Sequence, residues 1–246
     1  MQNIKIIFTG TGDAFAEGGR YNTCFHVETS DFSFLIDCGA SSLISMRKYC
    51  IDPSNLDAIF ISHFHGDHIG GIPFILSYIS VMSERSKPLL ICGPEGIEEK
   101  VKSLNNLMFP GLSKSTLEIQ YREYKESETF ELEKIRMTPY KAVHTPETNP
   151  HSLRFEVGDK VITYSGDTEW NNNLIEASAG ADLFICECNF LDEQVEGHID
   201  YMTLKKRLPE LKCKRIILTH MEDKMLEMEN TECMPEMAKD GQLLYL

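Results

Sequence analysis

An α/β sandwich, two mixed β-sheets packed face to face with helices outside, is the fold class this sequence predicts. Three observations carry the prediction. Short β-rich runs recur in both halves of the 246-residue chain, helical segments fall between them, and polar residues able to hold a metal follow directly on apolar strands. Strand ends that converge on one edge of a layered fold would bring those residues together. The length suits one large domain, expected to span residues 1–246, and lets it bury a sizeable core without covalent staples.

In chain order, strands are expected at "IKIIF", "CFHVE", "FSFLID" and "LDAIFIS" in the first half. In the second half they are expected at "IRMTPYKAV", "SLRFEV", "KVITYS", "ADLFIC" and "KRIILT". Helices are expected near 40–50, 70–83, 95–107, 171–178 and 202–210. Gly70-Gly71 stands before the second of these, and Pro73 suits its first turn. "REYKESETFELEK" at 122–134 reads as a solvated strand and turn. The early "GTGDAF" follows a strand but lacks the third glycine and the helix of a dinucleotide site, so it reads as a turn at the rim of a cleft.

The formal charge of −14 opposes binding of a large polyanion. No run of Lys or Arg and no basic stripe with interleaved aromatics is read, so extended nucleic-acid binding is not expected. No stretch reaches the roughly 18 apolar residues of a membrane span, and Met1–Gly10 reads as a first strand rather than a targeting segment, which favours the cytoplasm. The eight cysteines form no CxxC pair and read as free, mostly buried thiols, several of them in apolar, strand-like runs such as "PLLICG" and "ADLFICEC". The sequence leaves a homodimer open.

The densest chemistry is "AIFISHFHGDHIGG", where His63, His65, Asp67 and His68 lie within six residues after an apolar strand. Ligands at i and i+2 do not share a helix face, but a loop at a strand end can turn all four inward, with Gly66 expected to allow a tight bend. Imidazole nitrogens with a carboxylate suit zinc, and also manganese or iron. Four ligands do not complete two metal sites. His144 after "MTPYKAV", Asp167 in "VITYSGDT" and His220 ending "KRIILTH" sit just beyond strands and are the remaining candidates.

This ordered set resembles the metallo-β-lactamase superfamily of metal-dependent hydrolases, through "TGTGDAF", "FLIDCG", "SHFHGDHIGG", "AVHTPE", "YSGDTEW", "CECNF", "GHIDY" and "IILTHM" over nearly the whole chain. The resemblance implies an αββα sandwich and two divalent ions. His63, His65 and His144 would hold one, Asp67, His68 and His220 the other, and Asp167 would bridge them. Asp37 would orient a ligand histidine. His65 stands where the oxygen-reducing diiron branch has Glu, which favours hydrolysis. Asp167 stands where antibiotic-cleaving members have Cys, which counts against β-lactams.

The chain looks closest to the branch of tRNA 3′-processing endonucleases and small-molecule phosphodiesterases. His198 in "GHIDYMTL", 22 positions before His220, lies where that branch places a non-ligand histidine. Asp67 and His198 are therefore the catalytic candidates, with His198 able to give a proton to a leaving oxygen. Glu187 could orient a neighbour. The arm that many tRNA-processing members carry has no room in the 22 residues between His144 and Asp167. Two divalent ions bring about +4 of charge against about −2 from Asp67 and Asp167, so a cationic cleft is expected inside an acidic protein. Distant carboxylates are screened from a small anion over ~8 Å. The reading is a phosphodiesterase for a small or short phosphodiester, using a metal-bridging hydroxide. The alternatives are a carboxyl-ester, lactone or thioester hydrolase, an armless tRNA-processing enzyme and, least favoured, a metal-binding module without activity. Substrate identity is expected to lie in loops, chiefly 13–22, 108–116 and 188–200; Arg20 and Tyr21 could reach substrate from the first, and His26 and His151 are expected to have no chemical role.

Overall fold

Runs such as Lys5–Gly10 are apolar on both faces of the strand, and the structure shows why. Ile6 and Phe8 point into a core between two sheets, whereas Ile7 joins a second core beneath helices. The same division separates Phe34 and Ile36 from Leu35. The computed structural model describes residues 4–111, 117–229, 231 and 234–246.

Among the described residues the first sheet has seven strands in the order β14-β1-β2-β3-β4-β5-β6. They are β1 Lys5–Gly10, β2 Cys24–Glu28, β3 Ser33–Ile36, β4 Ala58–Phe60, β5 Leu89–Gly93, β6 Ile119–Glu123 and β14 Gln242–Tyr245. The second sheet, β13-β12-β11-β10-β9-β8-β7, is formed by β7 Phe130–Leu132, β8 Ile135–Lys141, β9 His151–Val157, β10 Lys160–Tyr164, β11 Leu183–Glu187, β12 Ile216–Thr219 and β13 Glu236–Met237. Both sheets mix parallel and antiparallel pairs; β3, β4, β5 and β6 run parallel, as do β10, β11, β12 and β13.

Between the sheets, Phe8, Phe25, Phe34 and Phe60 of the first meet Phe155, Tyr164, Leu183 and Ile217 of the second. Phe60 and Phe155 meet edge to face at 5.0 Å, and Phe25 and Tyr164 at 5.2 Å. Helices α1 Ser42–Lys48, α3 Ile72–Met82 and α4 Ile97–Met108 cover the outer face of the first sheet. Helices α5 Asn173–Ser178, α6 Tyr201–Arg207 and α7 Asp223–Glu227 cover the second. The result is the expected helix–sheet–sheet–helix sandwich. Each predicted helix is present. Two short helices, α7 and α2 Gly66–Ile69, were not predicted, nor were the polar edge strand β6 and the two C-terminal strands.

Two expectations need correction. Gly66 opens α2 and has nothing within 4 Å of where a Cβ would stand. The close approach falls instead at Gly39, where a Cβ would lie 2.1 Å from the Asp67 carbonyl oxygen, so the turn after β3 can lie against the ligand loop only without a side chain. A basic run also exists: α6 ends on exposed Lys205, Lys206 and Arg207. Glu210 pairs with Arg207, while the cations suit the negative end of the helix. The seven described cysteines are free, five of them buried and Cys50 exposed; Cys233 lies outside the described residues. No helix among the described residues is long and apolar enough to cross a membrane.

Candidate metal centre

At one edge of the sandwich, the loop after β4 enters α2 and brings in four side chains at once. Its backbone is tied to the second sheet's β8–β9 connection, where the His151 amide donates to Ser62 O at 3.0 Å and the Phe64 amide to Thr148 O at 3.1 Å. The second sheet then adds its donors singly. His144 follows β8, Asp167 follows β10 and His220 follows β12.

The donor atoms fall into two groups, each with all atoms within 4.8 Å of one another: His63, His65, His144 and Asp167; and Asp67, His68, Asp167 and His220. Asp167 is common to both. In the first, His65 Nδ1 lies 3.2 Å from His63 Nε2 and 3.0 Å from His144 Nε2. In the second, His220 Nε2 stands 3.2 Å from both Asp67 Oδ2 and Asp167 Oδ2. All seven side chains named from the sequence are thus brought to one place.

Polar partners behind the groups hold the rings. Asp37 Oδ2 accepts from His68 Nδ1 at 2.7 Å and from Ser62 Oγ at 2.7 Å, while Asp37 Oδ1 accepts from the Ser62 amide at 2.7 Å. His144 Nδ1 donates to Gly197 O at 2.7 Å, which leaves Nε2 facing the first group. Asn189 Nδ2 lies 2.9 Å from His220 Nδ1, so the amide holds the back of the ring while Nε2 faces the second group. Asp37 and His220 both adopt left-handed backbone, φ 58° and 60°, a conformation that non-glycine residues keep where the surroundings enforce it.

The charges are mutually adjusted. Burial, aided by neighbouring imidazoles, pushes His63, His65 and His144 below the ordinary histidine range. Burial also opposes the charge on Asp67 and Asp167, yet His68 and His220 outweigh it and hold both carboxyls low. Conversely, the carboxylates raise His68 and His220 in spite of burial.

A divalent transition ion suits these donors on two further grounds. His68 Nε2 has carboxylate oxygens at 3.2 and 3.3 Å but is aligned with neither as a hydrogen bond, and Asp167 Oδ1 is likewise buried without a partner. Leaving two such atoms unmatched is costly unless something else engages them. The donor sets, three His with one Asp and two His with two Asp, are of the type that binds zinc, manganese or iron.

His198 stands outside both groups but against them, its ring 4.8 Å from that of His144 and stacked 5.6 Å from His220. Its Nδ1 lies 3.1 Å from Glu187 Oε1. Burial lowers the affinity of His198 for a proton, but the Glu187 charge and hydrogen bond prevail and raise it to about 9. Glu187 is fully buried and accepts from the Thr168 amide at 2.8 Å and the Asn189 amide at 3.2 Å. It is therefore fixed before it fixes His198.

The groups open onto a cavity of about 650 Å³ lined by His65, Asp67, Asp167, His198 and His220 together with Ala14, Phe15, Asn22 and Ala40. Phe15 is 85% exposed on the "GDAF" turn, so that turn forms the cleft rim. Arg20 and Tyr21 do not line it. Arg20 donates to Ala238 O at 2.5 Å and Thr11 Oγ1 at 3.2 Å, and the Tyr21 ring lies under Lys48. His26 and His151 belong to neither group. Of the loop at 108–116 expected to meet substrate, residues 112–116 lie outside the described residues.

Comparison with known proteins agrees with this fold. The family model described as Anti-Pycsar protein Apyc1 matches residues 4–244. Ribonuclease Z of Methanosarcina acetivorans is 27% identical over 270 aligned positions, covering 89% of this chain and 87% of its own. The crystal structure of the metallo-β-lactamase fold protein YhfI from Bacillus subtilis superposes with TM-score 0.82 at 23% identity over the full length of both chains. Human tRNase Z, short form, superposes with TM-score 0.79 at 21% identity, covering 98% of each chain. The chain belongs to the Anti-Pycsar protein Apyc1 family and has the metallo-β-lactamase fold.

Proposed function

We propose that the protein is a dinuclear-metal phosphodiesterase acting on a small or short phosphodiester. The observation that carries the reading is the pair of four-donor groups joined at Asp167 and opening, beside His198, onto one cavity. His63, His65 and His144 would hold one divalent ion and Asp67, His68 and His220 the other, with Asp167 shared. Bound there, such ions supply positive charge for the phosphate and water made acidic enough to attack near neutral pH.

The remaining work falls to the chain. Glu187 engages Nδ1 of His198 and leaves Nε2 as the nitrogen that can carry a proton to the leaving oxygen. Asp37 keeps His68 turned toward the cavity, and Gly197 O does the same for His144. Asp67 contributes its carboxylate beside His220. Among the described residues neither Lys nor Arg lines the cavity, which favours a substrate with one phosphodiester over a polyanion.

A tRNA-processing role is the second reading, favoured by the ribonuclease Z relatives. Against it, residues 145–166 form a single 3-10 turn and the β9–β10 hairpin, with no projecting arm. Turnover of an aryl phosphodiester, a nucleoside cyclic phosphate, a short dinucleotide, a tRNA precursor, a lactone and an acyl thioester, with zinc and with manganese, tests the proposal. Cleavage of the small phosphodiesters is expected. Turnover confined to the lactone or thioester would transfer the reading to acyl hydrolysis, and turnover confined to the tRNA precursor to RNA processing.

A further inference from the structure

We propose that Asp240, in the turn between β13 and β14, is a positioning residue for the donor group that contains His220, and so for the metal that this group would hold. The inference rests on the metal-centre reading above. Asp240 Oδ1 accepts from the Thr11 amide at 2.9 Å and from Thr11 Oγ1 at 2.8 Å. Asp240 Oδ2 accepts from the Tyr21 amide at 2.8 Å. One carboxylate thus ties together both ends of the rim loop that carries Ala14 and Phe15. Thr11 is fully buried, and its carbonyl accepts in turn from the His220 amide at 3.1 Å and from Thr219 Oγ1 at 3.3 Å.

The consequence lies at His220. Its φ of 60° is a conformation that a histidine does not choose unaided, and its amide is held by Thr11 O. Freed from Asp240, Thr11 loses the acceptor that fixes its amide and hydroxyl, and the strained His220 backbone loses a rigid neighbour. The donors around His63 stand apart from this chain of bonds, because His65 and His144 are held by α2 and by Gly197. Loss of Asp240 is therefore expected to loosen one metal site and spare the other.

Asp57 supplies the control. It too clamps backbone in the first sheet, accepting from the Ser33 amide at 2.8 Å, but it lies at the far end of β4 from the donor loop. Zinc affinity is measured on the full chain by competition with a chromogenic chelator, alongside thermal unfolding. The wild type is expected to bind two zinc ions. Asp240→Asn is expected to weaken one of them by roughly 10–100-fold and the other by less than about threefold. Asp57→Asn is expected to lower stability while leaving both affinities unchanged. Thr11→Val, which keeps the amide and removes only the hydroxyl, is expected to weaken the same ion to a lesser degree, and it decides the matter if Asp240→Asn does not fold. Wild-type affinities for both ions in the folded variants, or an equal weakening in Asp57→Asn, would overturn the proposal. A wild type that binds no zinc would overturn the metal-centre reading on which it rests.

Discussion

The two sheets serve the centre differently. The first delivers four donors on one short loop, so chain neighbours share a backbone and a brace, Asp37. The second delivers His144, Asp167 and His220 from three separate strands, and two of them have separate supports: Gly197 for His144, and Asn189 with Thr11 for His220. A site of this kind joins a local motif to a set of positions that only the sheet order brings together. Damage on the first side should spread among neighbours, and damage on the second should stay with the strand that carries it.

Asp167 tests the comparison most severely, because it belongs to both groups. Asp167→Ala is expected to reduce phosphodiester turnover by roughly 10³-fold or more and to lower bound metal, as read by elemental analysis. Loss of a single ion with turnover intact would show that the two sides do not depend on a shared donor. His198→Ala comes next. Turnover is expected to fall by roughly 10²–10⁴-fold while the metal content stays at the wild-type level, since His198 lies outside both groups. An unchanged rate would remove His198 from proton transfer.

The brace on the first side gives a smaller effect. Asp37→Asn leaves the hydroxyl of Ser62 and the ring of His68 without a charged acceptor and is expected to weaken metal binding by roughly 10–100-fold in a chelator competition. An unaltered affinity would mean that the loop holds His68 through its backbone alone.

Each sheet also carries one histidine away from the centre, His26 on β2 and His151 on β9, and these sharpen the contrast. Burial lowers both to about 4 from the ordinary 6.5. Between those values the unfolded chain binds protons that the native rings refuse, so stability is complete above pH 6.5 and declines as pH falls toward 4. Each ring should cost about 2 kcal/mol between pH 7 and pH 5, read from urea midpoints. His26→Asn should flatten its share of that slope, and a slope identical to wild type would contradict the assignment.

The sequence displayed the first side far better than the second. His63, His65, Asp67 and His68 are legible because four metal-binding types within six residues after an apolar strand are hard to explain otherwise. His144, Asp167 and His220 acquire meaning only from the resemblance or from the strand order. Helices α3 and α4 were legible through their length and periodicity, whereas α2 and α7 have too few residues to show a period. Strand β6 is polar at an edge, and β14 pairs with β1 across nearly the whole chain, which local patterning does not register. The tie between Asp240 and Thr11 spans 229 positions and was invisible for the same reason. Arg20 looked available to substrate because its acceptor at Ala238 is just as remote in sequence.

The central claim is that seven imidazole and carboxylate side chains, drawn from both sheets, form a two-ion centre. Counting the zinc ions taken up by metal-stripped protein, by calorimetric titration followed by elemental analysis after gel filtration, tests it most directly. Two ions per chain, falling in Asp167→Ala, is the predicted result; stripped and correctly folded protein that retains no zinc, manganese or iron would contradict it.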